Sequence, residues 1–144
     1  MKKYKYVPFA NIVCYTIPVG SIVITNNPLV REKFQQNRRH TIEFLDTDYA
    51  GVLKAVRDKV HRGYALETHP LSGSVKPGET PYKTVIITGT AGGLDKKSLG
   101  IIEESILTCE KLKSSAGNIK WSEKMLADFQ LIDYNLISDK EIGK

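Results

Sequence analysis

The sequence predicts an α/β fold: a single domain with a largely parallel four-stranded sheet, helices on both faces and room for an extra N-terminal edge strand. Three observations lead there. Short strand-like runs at residues 21–25, 41–45, 64–68 and 84–88, the first and last of them β-branched, read as strands. Segments with apolar residues at three- and four-residue steps lie between or after them, as amphipathic helices require. The two kinds of segment alternate along most of the chain, which argues for a parallel sheet covered on both sides. At 144 residues the chain has the length of one domain able to bury its own core. That domain is placed at residues 21–144, behind an N-terminal extension of residues 1–20.

Taken in order, residues 11–17 are the candidate edge strand and residues 21–25 (Ser-Ile-Val-Ile-Thr) the first core strand. Asn27 suits an N-cap and Pro28 the first helical turn, so a helix is expected over residues 28–37 with Leu29, Val30 and Phe34 inward. Residues 41–45 alternate enough for a second strand. Asp46, Thr47 and Asp48 signal a helix start, and Val52, Leu53, Val56 and Val60 mark the apolar stripe of a helix over residues 49–62. Lys59, His61 and Arg62 crowd its last turn, where cations suit the helix dipole, and Gly63 is a natural C′ residue. His61 reads as an end-of-helix cation. Residues 64–68 and 84–88 are the third and fourth strands. A helix over residues 95–112 carries Leu99, Ile102, Ile106 and Cys109 on one stripe, making Cys109 a small core hydrophobe. Ser122 caps a last helix over residues 123–131, with Trp121 placed to staple onto Leu126. Residues 132–137 dock as a tail or edge strand.

Charge and composition exclude several classes. Three of the formal +5 come from Lys2, Lys3 and Lys5, so the rest of the chain carries only +2 with signs mixed along its helices. No basic stripe interleaved with aromatics appears, so nucleic acid is not the expected partner. The stretch before Arg31 holds no charge after Lys5, but Pro8, Asn11, Pro18 and Gly20 break it. A membrane helix needs about twenty predominantly apolar residues, so neither an anchor nor a leader is expected. Cys14 and Cys109 have no metal or disulfide spacing, and three isolated histidines make no metal site. A reducing cytoplasm is expected, with no cofactor and no metal.

The least ordinary stretch is residues 66–84. It holds three of the six prolines, Pro70, Pro77 and Pro81, which restrict the backbone and favour an ordered loop. Long structureless connections are uncommon and often functional. Ser72, Gly73 and Ser74 offer hydroxyls and amides around a glycine able to adopt positive φ, the ingredients of an anion-binding nest. Lys76 and Lys83 add charge. If the strand order were 2-1-3, Asn26 and Asn27 would face this loop beyond the carboxyl end of the first strand, where open α/β sheets bind ligands. The candidate ligand-binding residues are therefore Asn26, Asn27, His69, Ser72, Gly73, Ser74, Lys76 and Lys83, with phosphate or a small carboxylate as guest. The bland reading competes: Ser-Gly-Ser is common in turns, and Lys76-Pro77-Gly78-Glu79 has the order of a type II turn. His69 and Ser72 would suit a base and a nucleophile, but no acid at a telling spacing completes a triad, so no catalytic residue is assigned.

Residues 24–30 (Ile-Thr-Asn-Asn-Pro-Leu-Val), 52–61 (Val-Leu-Lys-Ala-Val-Arg-Asp-Lys-Val-His) and above all 68–83 (Thr-His-Pro-Leu-Ser-Gly-Ser-Val-Lys-Pro-Gly-Glu-Thr-Pro-Tyr-Lys) resemble the GrdX family. The similarity extends through residues 102–106 (Ile-Glu-Glu-Ser-Ile) to 129–134 (Phe-Gln-Leu-Ile-Asp-Tyr), nearly the whole chain except the N-terminal extension. These are small proteins encoded among the genes of the glycine, sarcosine and betaine reductases of amino-acid-fermenting anaerobes. The resemblance implies a cytoplasmic accessory of that system. The favoured reading is a non-catalytic one, binding a reductase component or a small anion through the loop. The alternative is an enzyme acting there on a small phosphorylated or carboxylated metabolite. A third reading is a partner-binding scaffold in which the loop binds no ligand. The resemblance carries no catalytic residue across.

Overall fold

The computed structural model describes residues 4–6, 16–18, 20–36, 39–116 and 119–142. In chain order these form β1 (Tyr4–Tyr6), β2 (Thr16–Pro18), β3 (Ile22–Thr25), α1 (Pro28–Gln35), β4 (Thr41–Phe44), α2 (Tyr49–His61), β5 (Thr84–Ile87), α3 (Lys96–Ala116) and α4 (Glu123–Ile142). The class is α/β, but the expected four-stranded, largely parallel sheet is not formed. The main sheet has three strands in the order β4-β3-β5. β3 runs parallel to β4, with Ile22 beside Thr41 and Thr25 beside Phe44. It runs antiparallel to β5, with Ile22 opposite Ile87 and Thr25 opposite Thr84.

The missing strand has a physical reason. Residues 64–68 do lie along β5, yet threonine hydroxyls replace much of the ladder. Leu66 makes only an isolated antiparallel bridge to Ile87. The Glu67 and Thr68 N–H groups both converge on the Ile86 carbonyl, at 2.9 and 3.2 Å. The Ile86 N–H donates to Thr68 Oγ1, and the Ala65 N–H to Thr88 Oγ1. Two amides on one carbonyl shift the register, as in a bulge, so regular pairing stops after one residue.

Two other expectations change. The N-terminal strands β1 and β2 pair antiparallel with each other in a sheet of their own, not along an edge of the main sheet. Residues 11–15 of the expected edge strand lie outside the described residues, as does Cys14. Residues 132–137 are neither tail nor strand but the middle of α4.

Helices on both faces are observed, and strand alternation explains how. Ile22, Ile24, Val85 and Ile87 point to one face and pack with Val52, Leu53, Val56 and Val60 of α2 and Ile102, Ile106 and Cys109 of α3. Val23 and Ile86 point to the other and pack with Val30 and Phe34 of α1 and Ile137 of α4. Each such aliphatic side chain contributes about 1.5–3 kcal/mol when fully buried. The helix ends follow their local chemistry. Asn27 and Asp48 cap α1 and α2, accepting from the Leu29 and Gly51 N–H groups, and Pro28 opens α1. At the end of α2, Gly63 N–H reaches the Val60 carbonyl and Tyr64 N–H the Lys59 carbonyl, with Gly63 at φ +104°. That pattern is a Schellman motif with glycine at C′. His61 pairs with Glu103 of α3 at 3.2 Å. Trp121 packs edge-on against Phe129, with ring centroids 5.0 Å apart. No helix among the described residues is long and apolar enough to cross a membrane.

Candidate functional site

Because β5 is antiparallel to β3, the chain entering β5 arrives at the carboxyl end of β3. The loop before it therefore folds over Asn26 and Asn27. Asn26 is the pin: its Nδ2 donates to the carbonyls of Thr47 and Pro81, both at 2.9 Å, and its Oδ1 accepts from Lys83 N–H at 2.9 Å. Further along, the Glu79 N–H bonds the Lys76 carbonyl across a turn in which Gly78 has φ +91°. This is the type II turn anticipated from Pro77-Gly78. The Glu79 carboxylate returns to the Lys76 N–H at 3.1 Å. Within the loop, Pro70, Pro77 and Thr80 are buried.

Behind Asn27 lies a closed ring of hydrogen bonds. Thr84 Oγ1 donates to Asp133 Oδ2 at 2.6 Å and lies 2.7 Å from Thr25 Oγ1. With the Thr84 proton committed to the carboxylate, Thr25 must be the donor to Thr84. Thr25 in turn accepts from the Asn27 N–H at 3.0 Å. Asn27 Nδ2 closes the ring on Asp133 Oδ2 at 3.0 Å and also meets the Gln130 carbonyl at 2.9 Å. Thr84 and the Asn27 carboxamide both donate to this one carboxylate, which stabilises its charge. Burial opposes this and prevails: it pushes the Asp133 carboxyl above its ordinary value, against the lowering effect of Thr84, Asn27 and the nearby Lys83.

Two adjoining clefts open between the loop and α4. One is narrow, about 10 Å³, and is lined by Tyr49, Ser72, Thr80, Tyr82, Lys83 and Asp133 with an apolar wall of Val75, Phe129, Ile132 and Leu136. The other, about 40 Å³, shares Ser72, Lys83, Asp133 and Leu136 and adds His69, Thr68 and Thr84. Lys83 and Asp133 are each only 7 % exposed, so a cation and a carboxyl meet in a nearly dry space, where a charge acts at longer range than in water. Tyr82 Oη accepts from Gln130 Nε2 at 2.9 Å. Tyr49, the first residue of α2, is buried, and its hydroxyl has no hydrogen-bond partner among the described residues. Burial, with Cys109 and Asp133 nearby, pushes the phenol pKa well up.

The structure brings together some of the residues singled out by sequence and separates others. Ser72 and Lys83 line both clefts and His69 one of them. Asn26 and Asn27 are buried and spend their carboxamides holding the loop and α4. Gly73, Ser74 and Lys76 are exposed on the outer side of the loop. A Cβ at Gly73 would meet nothing, and among the described glycines those at positive φ are Gly63 and Gly78, so the nest geometry expected at Gly73 is not what the backbone adopts. His69 Nδ1 accepts from the Leu71 N–H at 3.0 Å, and Ser72 Oγ accepts from the Val75 N–H at 3.3 Å. Both side chains therefore brace local turns. Sequence reasoning missed Tyr49, Tyr82, Thr84 and Asp133. Asp133 could have been found: a helix continued past residue 131 puts it in the same inward row as Gln130 and Ile137. Buried Cys109 behaves as a core residue, its thiol pKa raised mainly by burial. No group of three or more His, Cys, Asp or Glu placed to hold a metal occurs among the described residues.

The molecule is thus a three-layer α/β protein whose densest polar chemistry sits between a pinned, proline-rich loop and its last helix. A family model described as GrdX-like protein matches residues 22–140, and the chain belongs to that family. No curated protein and no solved structure matches it.

Proposed function

We propose that this protein is a cytoplasmic, non-catalytic accessory of the glycine, sarcosine and betaine reductase system that binds a small anion in the cleft behind the 68–84 loop. Membership of the GrdX-like family supports the first half of this reading. The observation that carries the second half is Lys83: a lysine 7 % exposed, lining a cleft together with the Ser72 hydroxyl. A buried lysine is costly unless its charge is answered, and Asp133 answers it within the protein. An incoming anion would share that cation with Asp133, so occupancy would be read out on α4, the helix that carries Asp133 and the apolar wall. An accessory protein needs a response of this kind if a ligand is to change how it meets a partner such as a reductase component.

A thermal-shift series with phosphate, acetyl phosphate, glycine, sarcosine and betaine tests the reading. A ligand at a hundred times its dissociation constant stabilises by about 2.7 kcal/mol, or roughly 5–10 °C for a domain of this size. At least one of the five should raise the midpoint, and Lys83→Met and Ser72→Ala should each diminish the shift. No shift with any of them would remove the small-anion function and leave the loop as part of a partner-binding scaffold. Turnover of acetyl phosphate would replace the accessory by an enzyme.

A further inference from the structure

We propose that the stretch from Trp121 to Ile132, the first half of α4 with its approach, is a lid over this cleft that opens as a unit and closes again on the clamp at Asp133. The closed spaces of about 10 and 40 Å³ have room for a few waters. Anything larger enters only if a wall moves. The lid belongs to the free protein, so the inference goes beyond the small-anion reading; entry of such an anion is its consequence.

Three walls surround the cleft, and they are held very differently. The loop is pinned by Asn26, whose carboxamide makes three bonds of 2.9 Å to Thr47, Pro81 and Lys83. Tyr49 sits on α2, which buries Val52, Leu53, Val56 and Val60 in the core. α4 is divided: Asp133 and Ile137 are buried, but no residue from 123 to 132 is. Trp121 packs edge-on against Phe129, so this aromatic pair lies within the lid and moves with it. Among the described residues, 119–129 make no hydrogen bond or ion pair with the rest of the molecule. The bonds found there, from the Met125 N–H to Ser122 Oγ and from the Leu126 N–H to the Ser122 carbonyl, are internal. The first ties to the body are at Gln130, whose Nε2 donates to Tyr82 Oη and whose carbonyl accepts from Asn27 Nδ2, both at 2.9 Å. Three residues on, Thr84 and Asn27 fix Asp133.

Release of the two ties strands no buried group. Asn27 Nδ2 keeps its bond to Asp133, and Gln130 and Tyr82 exchange each other for water. Lifting Phe129 and Ile132 then removes part of the apolar wall and bares Thr80 and Tyr82. Few buried contacts and water-facing backbone bonds mark the low-stability end of a fold, from which lids are drawn.

The test is residue-resolved hydrogen–deuterium exchange of the full chain without ligand, on wild type, Tyr82→Phe and Gln130→Met. Amides of residues 127–131 should share one opening, with protection at least about a hundredfold lower than that of residues 134–138. Each variant removes the same tie from opposite sides, so one suffices if the other does not fold. Either should speed exchange at 127–131 by roughly twofold to tenfold and leave 134–138 unchanged. Equal protection across both stretches overturns the lid, because α4 then opens only as a whole. Protection that falls off residue by residue toward Ser122, or that ignores both variants, overturns it in favour of ordinary fraying at a helix end. A ligand from the thermal-shift series that binds under the lid should slow 127–131 alone. If none of those ligands binds, the small-anion reading fails while the exchange pattern still decides the lid.

Discussion

At the scale of single residues, Asp133 ties the fold to the candidate site, and its pH behaviour is predictable in sign. Its folded pKa is raised, so the folded protein holds this proton more tightly than the unfolded chain. Its contribution to stability is fully present below the ordinary value of 3.8 and is lost as pH rises through the folded value. In Asp133→Asn the side-chain oxygen still accepts from Thr84 and Asn27, but nothing titrates. The variant should therefore gain on wild type as pH rises from about 4 to 7, measured by urea unfolding at several pH values. Asp48 runs the other way: the Gly51 N–H, against some burial, and Lys113 lower its pKa, so its contribution is lost as pH falls. Being common to both proteins, that term cancels in the difference. A gap between the two that stays flat with pH would mean the Asp133 carboxyl is not perturbed. Of the residues in this ring, Asn27 was legible because capping depends on its neighbours in sequence. Asp133 acquires its role from Thr84 and Asn27, 49 and 106 positions away, and no local pattern reports that.

At the scale of elements, glycine makes the sharpest distinction. Gly63 ends α2 at φ +104°, and a Cβ there would lie 2.1 Å from the Gly92 carbonyl oxygen, whose own N–H donates to the Gly63 carbonyl. Gly100 sits inside α3 with open space where its Cβ would be. Gly63→Ala should therefore destabilise by about 1–3 kcal/mol, while Gly100→Ala should stabilise by about 0.4–1 kcal/mol. Thermal or urea unfolding of the two variants checks the opposite signs, and equal effects would mean the αL turn is not held as described. The end of α2 was readable because its signal is compressed into five residues. The end of α4 was not. Apolar residues fall on several sides of that helix, with Leu131 and Ile132 exposed and Ile137 buried, so its periodicity fades after residue 131. The third strand failed for a different reason: residues 64–68 have strand composition, but Thr68 and Thr88 use hydroxyls where a ladder would use backbone.

At the scale of the whole molecule, apolar runs announce that strands exist but not which way they point. β5 reads the same in either direction, and its antiparallel placement beside β3 is what brings the loop back over Asn26 and creates the cleft. The loop was therefore singled out by its composition, while the cleft behind it, walled by Tyr49 and α4, depended on topology. The same topology bears on the N-terminal extension. Among the residues whose burial is described, both core clusters run from Ile22 to Ile137, the family match begins at residue 22, and β1 and β2 pair with each other. A chain starting at Gly20 should then fold by itself. Its urea unfolding should be a single cooperative transition with an m-value in proportion to its length, and its thermal midpoint should fall within a few degrees of the full protein's. A broad transition or a much reduced m-value would show that the hairpin completes the core. If the shortened chain folds but its small-anion affinity changes, the extension belongs to the binding function instead. The cleft and the fold would then have different boundaries along the same chain.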